Sequence, residues 1–252
     1  MSFETTIYII VFLFGLAVGS FLNVLIFRLP KHENIVVKRS HCMNCGYLLK
    51  WYDLVPLFSY LFLAGKCRKC KQKISIQYPL VELSNGGLWF LVFWLHGISL
   101  ESVLICLVSS FLLVLSVIDA RIGEIPSGLC YAILILGVVN TILDRQNWLS
   151  HVIGFIAVSL FFYLIIRLSG GRAMGGGDVR LMAAAGLFLG WQNVILAMVL
   201  GCIVGSVIHI ILMAVLKLGR ELKFGPYLSI GIWIAMMYGS QMISAYLSLF
   251  KI

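Results

Sequence analysis

Residues 100–119 read LESVLICLVSSFLLVLSVID, an apolar run from Leu100 to Ile118 that closes on an acid, Asp119. As a helix the run is long enough to cross about 30 Å of hydrocarbon. Comparable runs recur along the chain, and they decide the fold. A barrel strand needs only about 10 alternating residues, so repeated runs of about 20 specify an all-α, polytopic membrane helix bundle. Composition agrees: 61% of residues are hydrophobic, 12% are charged and the mean hydropathy is +1.03, whereas charged residues make up about 25% of soluble domains.

Working outward, charge, proline and glycine breaks divide the chain into about eight expected transmembrane helices. They are Thr5–Phe27, Pro79–Gly97, Leu100–Ile118, Pro126–Leu143, Leu149–Leu168, Asp178–Gly190, Asn193–Leu216 and Pro226–Leu249. The Asp178 segment is short for a full crossing, which points to tilt or burial in protein. The first run has no basic residues before it and no small-residue cleavage site after it, so it reads as a retained helix. Three regions follow: a first helix at 1–27, a polar loop domain at 28–78 and a transmembrane core at 79–252.

The formal charge of +9 would point to nucleic acid in a soluble protein, but here its placement carries the information. Ten of the nineteen basic residues lie between Arg28 and Lys73. With the N-terminus outside and eight crossings, seventeen basic residues fall inside and only Arg145 and Lys251 outside. That arrangement follows the positive-inside rule. It puts both termini outside, and it puts Asp119 and Asp178 at the inner margin.

The polar loop contains Cys42-Met43-Asn44-Cys45 and Cys67-Arg68-Lys69-Cys70. Two C-x-x-C pairs on one short loop have the spacing of a tetrahedral four-thiolate zinc site, which leaves no open coordination position for catalysis. Structural zinc is favoured over a redox dithiol or disulfides, because a basic loop in reducing cytoplasm should not hold disulfides. Between the pairs, Leu54–Ala64 is too short to span and reads as an interfacial or buried segment.

Two of the four aspartates, Asp119 and Asp178, stand at margins of hydrocarbon, where ionisation is costly. Asp178 follows Gly175-Gly176-Gly177. Two carboxyls brought together in a low-dielectric site cannot both ionise cheaply, so they can serve as a base and an acid for peptide hydrolysis. The glycines would let a backbone approach the carboxylate with no Cβ in the way. Phosphate binding is set aside, since the run lacks a following Lys-Ser/Thr and ends in an anion. The plainer alternative is that both acids are helix-end residues, Asp178 capping the helix it precedes. Ion-coupled transport also uses membrane carboxylates, but near the midplane. Gly15 with Gly19 and Gly201 with Gly205 read as helix-packing pairs, and Cys106, Cys130 and Cys202 as small apolar residues. Glu82 is divided between the active site and an ion pair with Arg28 or Lys73.

Jointly, several motifs resemble the type IV prepilin peptidases. They are Gly19-Ser20-Phe21-Leu22-Asn23-Val24 through Arg28-Leu29-Pro30, both cysteine pairs, Tyr78-Pro79-Leu80-Val81-Glu82, Asp119 with Ile125-Pro126, Gly175-Gly176-Gly177-Asp178-Val179, and Phe224-Gly225-Pro226-Tyr227. The resemblance implies that Asp119 and Asp178 are the catalytic aspartates of a G-x-G-D intramembrane protease, with Gly175 and Gly177 in the glycine positions. It implies a bacterial inner-membrane enzyme that cleaves prepilins or pseudopilins after the glycine ending a basic leader, on the cytoplasmic side. It also implies methylation of the new N-terminus with S-adenosylmethionine as donor, because the cysteine-bearing loop is retained. One departure is Arg121, a cation close behind Asp119. No Rossmann glycine fingerprint marks a donor pocket, and Asn23, Arg28 and Glu82 are the residues offered for it.

Overall fold

The computed structural model describes residues 3–37, 39–172, 174–216 and 223–249. Lys38, Lys217, Arg220 and Lys251, cations used in the sidedness argument, lie outside the described residues. Among those residues there are nine α-helices and no strand, only the isolated bridges His41 with Leu48 and Lys66 with Lys73. The helices are α1 (Phe3–Arg28), α2 (Phe58–Phe62), α3 (Gln77–His96), α4 (Leu100–Ile122), α5 (Ser127–Leu143), α6 (Trp148–Leu168), α7 (Gly176–Leu189), α8 (Trp191–Leu216) and α9 (Gly225–Leu249). All but the five-residue α2 occupy the expected spans, with ends displaced by about a turn or less.

Five of these helices, α1, α4, α6, α8 and α9, are long and apolar enough to cross a membrane. This is a multi-pass helical membrane protein. In the 20-residue α3 the polar residues Gln77, Glu82, Asn85 and His96 dilute the hydropathy, and α5 has only 17 residues. The 14-residue α7 is about 21 Å long at ~1.5 Å per residue, short of the ~30 Å hydrocarbon layer.

The chain forms two compact units, Met1–Val114 and Leu115–Ile252, with the boundary inside α4. In the first unit α1 packs on α3 through its glycine pair: a Cβ on Gly15 would come within 2.9 Å of Gly86 Cα, and one on Gly19 within 2.7 Å of Glu82 Cα. A buried polar clasp holds the same contact. Asn85 Nδ2 donates to Gly15 O at 2.7 Å, Ser110 Oγ donates to Asn85 Oδ1 at 2.7 Å, and Trp89 Nε1 donates to Ser110 Oγ at 2.9 Å. Such groups cannot be left unpaired in hydrocarbon, so the clasp fixes register as well as contact.

In the second unit α7 packs against α5, α6, α8 and α9. Small residues make this enclosure close: Ala184 and Ala185 are buried, and Gly154 of α6 and Gly186 of α7 leave no room for a Cβ at either position. Because α7 is short, its last carbonyls end among protein groups and are met by side chains. Leu187 O accepts from His151 Nδ1 at 2.9 Å, Phe188 O from Asn140 Nδ2 at 2.9 Å and Leu189 O from Asn193 Nδ2 at 3.2 Å. Gly201 and Gly205 seat α8 on Leu228 and Tyr227 of α9. Cys106 and Cys130 are buried in apolar surroundings, whereas Cys202 is exposed.

Candidate active site and metal centre

Asp119 and Asp178 come from helix ends 59 positions apart in sequence (178 − 119) and are both buried, 4% and 8% exposed. Their carboxyls are close enough to interact electrostatically. Asp119 lies in the last turn of α4 rather than beyond it, because that helix continues to Ile122. It ends at Gly123, whose φ of +74° and N–H bond to Asp119 O at 2.8 Å form a left-handed stop. Lys223 Nζ donates to Ala120 O at 2.9 Å and Arg121 O at 3.0 Å, placing a cation where the helix dipole is negative. Asp119 Oδ2 accepts the Gly225 N–H at 3.0 Å.

The α7 helix begins at Gly176, with Gly175 as its N-cap, so Asp178 sits inside the first turn and is not the capping residue. Asp178 Oδ1 is buried and has no hydrogen-bond partner. The glycines before it are not equivalent. A Cβ on Gly177 would meet Ile125 Cβ at 2.7 Å and one on Gly175 would lie 3.8 Å from Asp178 Oδ2, whereas one on Gly176 would meet nothing within 4 Å. Arg180 Nη1 donates to Ser127 Oγ at 2.6 Å, tying the start of α7 to the start of α5.

The sequence reading missed Gly225, Lys223 and Ile125 as parts of this site. Gly225 had a signal, the Gly225-Pro226 pair at a helix start. Its closeness to Asp119 is a tertiary fact that no local pattern contains.

In the loop, the four cysteine sulfurs lie within 4.8 Å of one another, with Cys42 to Cys70 at 3.8 Å and Cys45 to Cys67 at 4.0 Å. Four thiolates at ~2.3 Å from one zinc have tetrahedral edges of about 3.8 Å, so the spacing fits the metal. A disulfide would need about 2.05 Å. Each pair sits on a matching knuckle: Cys42 N–H donates to Tyr47 O and Gly46 N–H to Cys42 O, as Cys67 N–H does to Gln72 O and Lys71 N–H to Cys67 O. The Gln72 N–H and Asn44 side chain hold the Cys70 thiol down to about 6. At Cys45 the Tyr47 N–H favours the thiolate, but burial and the neighbouring thiols push the thiol up to about 11. The four protons therefore cannot leave independently, and a cation at the centre would let all four thiolates coexist.

Asn23, Arg28 and Glu82 direct their polar atoms mainly at the fold. Asn23 Nδ2 donates to Gly19 O at 3.3 Å and Tyr78 O at 3.2 Å, and Arg28 Nη1 donates to Asn34 O at 3.2 Å and Ile35 O at 3.3 Å. Glu82 Oε2 accepts the Leu57 N–H at 2.8 Å and the carboxylate also meets the Ser20 hydroxyl of α1, so the partners seen are neither Arg28 nor Lys73. Asn23 Oδ1 is buried without a partner. Asn23 ties α1 to α3, and Arg28 and Glu82 tether the loop to those helices.

A membrane bundle with two buried, interacting carboxyls at helix ends and a separate four-thiolate cluster defines a narrow class of protein. Residues 13–96 match the bacterial peptidase A24 N-terminal domain, and residues 106–210 match the type IV leader peptidase family. The chain is 34% identical to a prepilin leader peptidase/N-methyltransferase of Stutzerimonas stutzeri, over 92% of this chain and 91% of that one. It is also 34% identical to the protein of that name from Pseudomonas aeruginosa, over 93% and 91%, and 32% identical to the one from Xanthomonas campestris, over 92% of each. No solved structure matches. The chain belongs to the type IV leader peptidase family.

Proposed function

We propose that this protein cleaves the basic leader from type IV prepilins or pseudopilins and then methylates the exposed N-terminus, with Asp119 and Asp178 performing the cleavage. The observation that supports the cleavage reading is that both carboxyls are buried at helix ends held close in space, Gly177 of α7 lying against Ile125, six positions beyond Asp119. The Gly225 N–H donated to Asp119 Oδ2 supports the anion there, so Asp119 is the general base. Asp178, whose Oδ1 faces no donor, carries the proton. Water attacks the scissile carbonyl carbon, its proton passes to Asp119, and the Asp178 proton goes to the carbonyl oxygen. Collapse of the resulting diol breaks the C–N bond: Asp119 returns its proton to the leaving amine while one diol hydroxyl gives its proton to Asp178, leaving a carboxylic acid and both aspartates in their starting states.

The same reading assigns residues 79–252 to the protease core and the loop at 28–78, with structural zinc at Cys42, Cys45, Cys67 and Cys70, to methylation. S-adenosylmethionine would supply the methyl group when bound, and Asn23, Arg28 and Glu82, where Asn23 Oδ1 is buried without a partner, are the residues offered to hold it. The loop's positive charge disfavours the protonated product amine and so helps to supply the neutral nucleophile. The site faces the cytoplasm of a bacterial inner membrane, following the charge distribution.

The test mixes purified protein, a prepilin and S-adenosylmethionine, then weighs the product N-terminus by mass spectrometry. A product that is cleaved and methylated is expected, with cleavage lost in Asp119→Asn and in Asp178→Asn while each variant stays folded in the membrane fraction. Cleavage without methylation identifies a peptidase alone. Appreciable cleavage by either folded variant removes the paired-carboxyl assignment.

A further inference from the structure

The segment between the cysteine pairs carries an apolar face that the described protein leaves uncovered. Trp51, Leu54, Phe58, Leu61 and Phe62 are exposed, Trp51 at 80% and Phe62 at 86%. Trp51 lies in a 3-10 turn at Trp51–Asp53 and Phe58, Leu61 and Phe62 lie on α2, with a non-helical link between them that includes Leu57 at φ +60°. A patch of this kind in an otherwise polar loop marks an interaction surface.

Two observations say what covers it. The first is depth. The Leu57 N–H is bonded to Glu82 Oε2, five positions beyond Gln77 at the start of α3, so the segment is pinned roughly 7–8 Å along that helix at ~1.5 Å per residue. In-plane amphipathic segments lie beside the ends of membrane helices, about 5–10 Å into the headgroup and acyl boundary, and the first turns of α3 offer such a place. The second is charge. From Lys50 to Lys73 the one acid, Asp53, is buried and bonded to Arg68 Nε at 2.8 Å, while Lys50, Lys66, Arg68 and Lys69 are exposed. Beside them opens a cleft of about 310 Å³ lined by Tyr52, Val55, Phe58, Ser59, Phe62 and Arg68. Its walls suit an acyl chain and its cation suits a phosphate.

We propose that residues 51–62 lie in the bilayer surface with this apolar face among the acyl chains, and that the cleft at Arg68 seats the phosphate of an anionic phospholipid. The inference rests on the membrane-protein reading and is independent of the two aspartates. An aromatic face in the headgroup layer also accounts for Trp51, since tryptophan favours that depth.

The experiment uses the full chain in nanodiscs of phosphatidylcholine mixed with phosphatidylglycerol, with Phe62→p-benzoylphenylalanine as a photo-crosslinker and adducts identified by mass. Lipid adducts at position 62 are expected, with phosphatidylglycerol enriched at least threefold over its share of the bilayer. Arg68→Gln should remove the enrichment and keep the adducts, with zinc content reporting that the loop is still folded. Raised salt on the otherwise unchanged protein gives the same reading without that substitution, because exposed charge pairs are screened. Absence of lipid adducts overturns the proposal. So do adducts that form only with added prepilin and lie on it, which would assign the face to substrate. Enrichment indifferent to both salt and Arg68→Gln overturns the phosphate seat.

Discussion

Gly225 and Asp119 are 106 positions apart, yet the Gly225 N–H donates to Asp119 Oδ2 at 3.0 Å, and a Cβ on Gly225 would stand 2.8 Å from that same oxygen. One residue therefore both orients a carboxylate and depends on having no side chain. Gly225→Ala should push Asp119 off its donor and lower the rate of prepilin cleavage by roughly 10- to 100-fold, the scale expected when a reacting group is displaced by about 1 Å. Initial rates and melting temperature measured on one preparation check this. Wild-type cleavage by Gly225→Ala would show that Asp119 does not need this contact.

The glycine run makes a graded prediction, because only one of its members is pressed by a neighbour. Gly177→Ala would set its Cβ against Ile125 Cβ, where the separation is 2.7 Å, whereas Gly176→Ala enters open space. Overpacking of this kind costs about 1–3 kcal/mol, and here it falls one residue from Asp178. Gly177→Ala should therefore lose most cleavage. Gly176→Ala should stay within about threefold of wild type, unless bound substrate occupies that space. Assaying both variants on one prepilin separates crowding inside the protein from crowding against substrate.

These contrasts mark how far the sequence could be read. Helix number and the cysteine pairs were legible because hydropathy run length and ligand spacing are local properties. Asp119 and Asp178 were legible as unusual residues, since an acid at a hydrocarbon margin stands out against its neighbours. Their helix positions were less so: α4 runs past Asp119 to a stop at Gly123, and α7 starts before Asp178. Glu82 is divided between the active site and an ion pair with Arg28 or Lys73 because a buried carboxylate calls for a partner, and in the structure a backbone N–H meets it in place of those cations. Gly225 and Ile125 stand out in the chain as motif residues, Gly225-Pro226 and Ile125-Pro126, but which residue each one meets is set by packing between helices.

The cysteine cluster should hold one zinc per chain, lost when Cys42 and Cys67 are together replaced by serine. Protons compete with metal for thiolates, so zinc should leave as pH falls. Asn44 Nδ2 donates to Cys70 Sγ at 3.6 Å and helps, after the Gln72 N–H, to keep that thiol down to about 6. Removing it in Asn44→Ala raises the affinity of Cys70 for a proton, so the midpoint of zinc release should move to higher pH. Metal content against pH for wild type and Asn44→Ala decides the sign. A midpoint that stays put or falls would rule out Asn44 as a determinant of metal retention.

The far end of α7 offers a last prediction, about how Asp178 is held in place. A helix too short to cross the hydrocarbon leaves its C-terminal carbonyls where water is scarce, and each left unpaired would cost about 1–3 kcal/mol. His151 and Asn140 meet two of them, Leu187 O and Phe188 O, both at 2.9 Å, from α6 and α5. Since a carbonyl only accepts, His151 Nδ1 must carry a proton in this contact. The clasp fixes α7 along its axis, and the residue at the opposite end of that axis is Asp178. His151→Phe combined with Asn140→Leu should let α7 shift and lower cleavage about 10-fold or more, because a small misplacement of a reacting group is enough. Methylation of a pilin supplied already cleaved should stay near wild type, since no carboxylate chemistry is required of α7 for it. Both rates and the melting temperature are measured on the same purified protein. If cleavage and methylation fall together in proportion to lost stability, the clasp is a general fold element. A selective loss of cleavage assigns it to positioning Asp178.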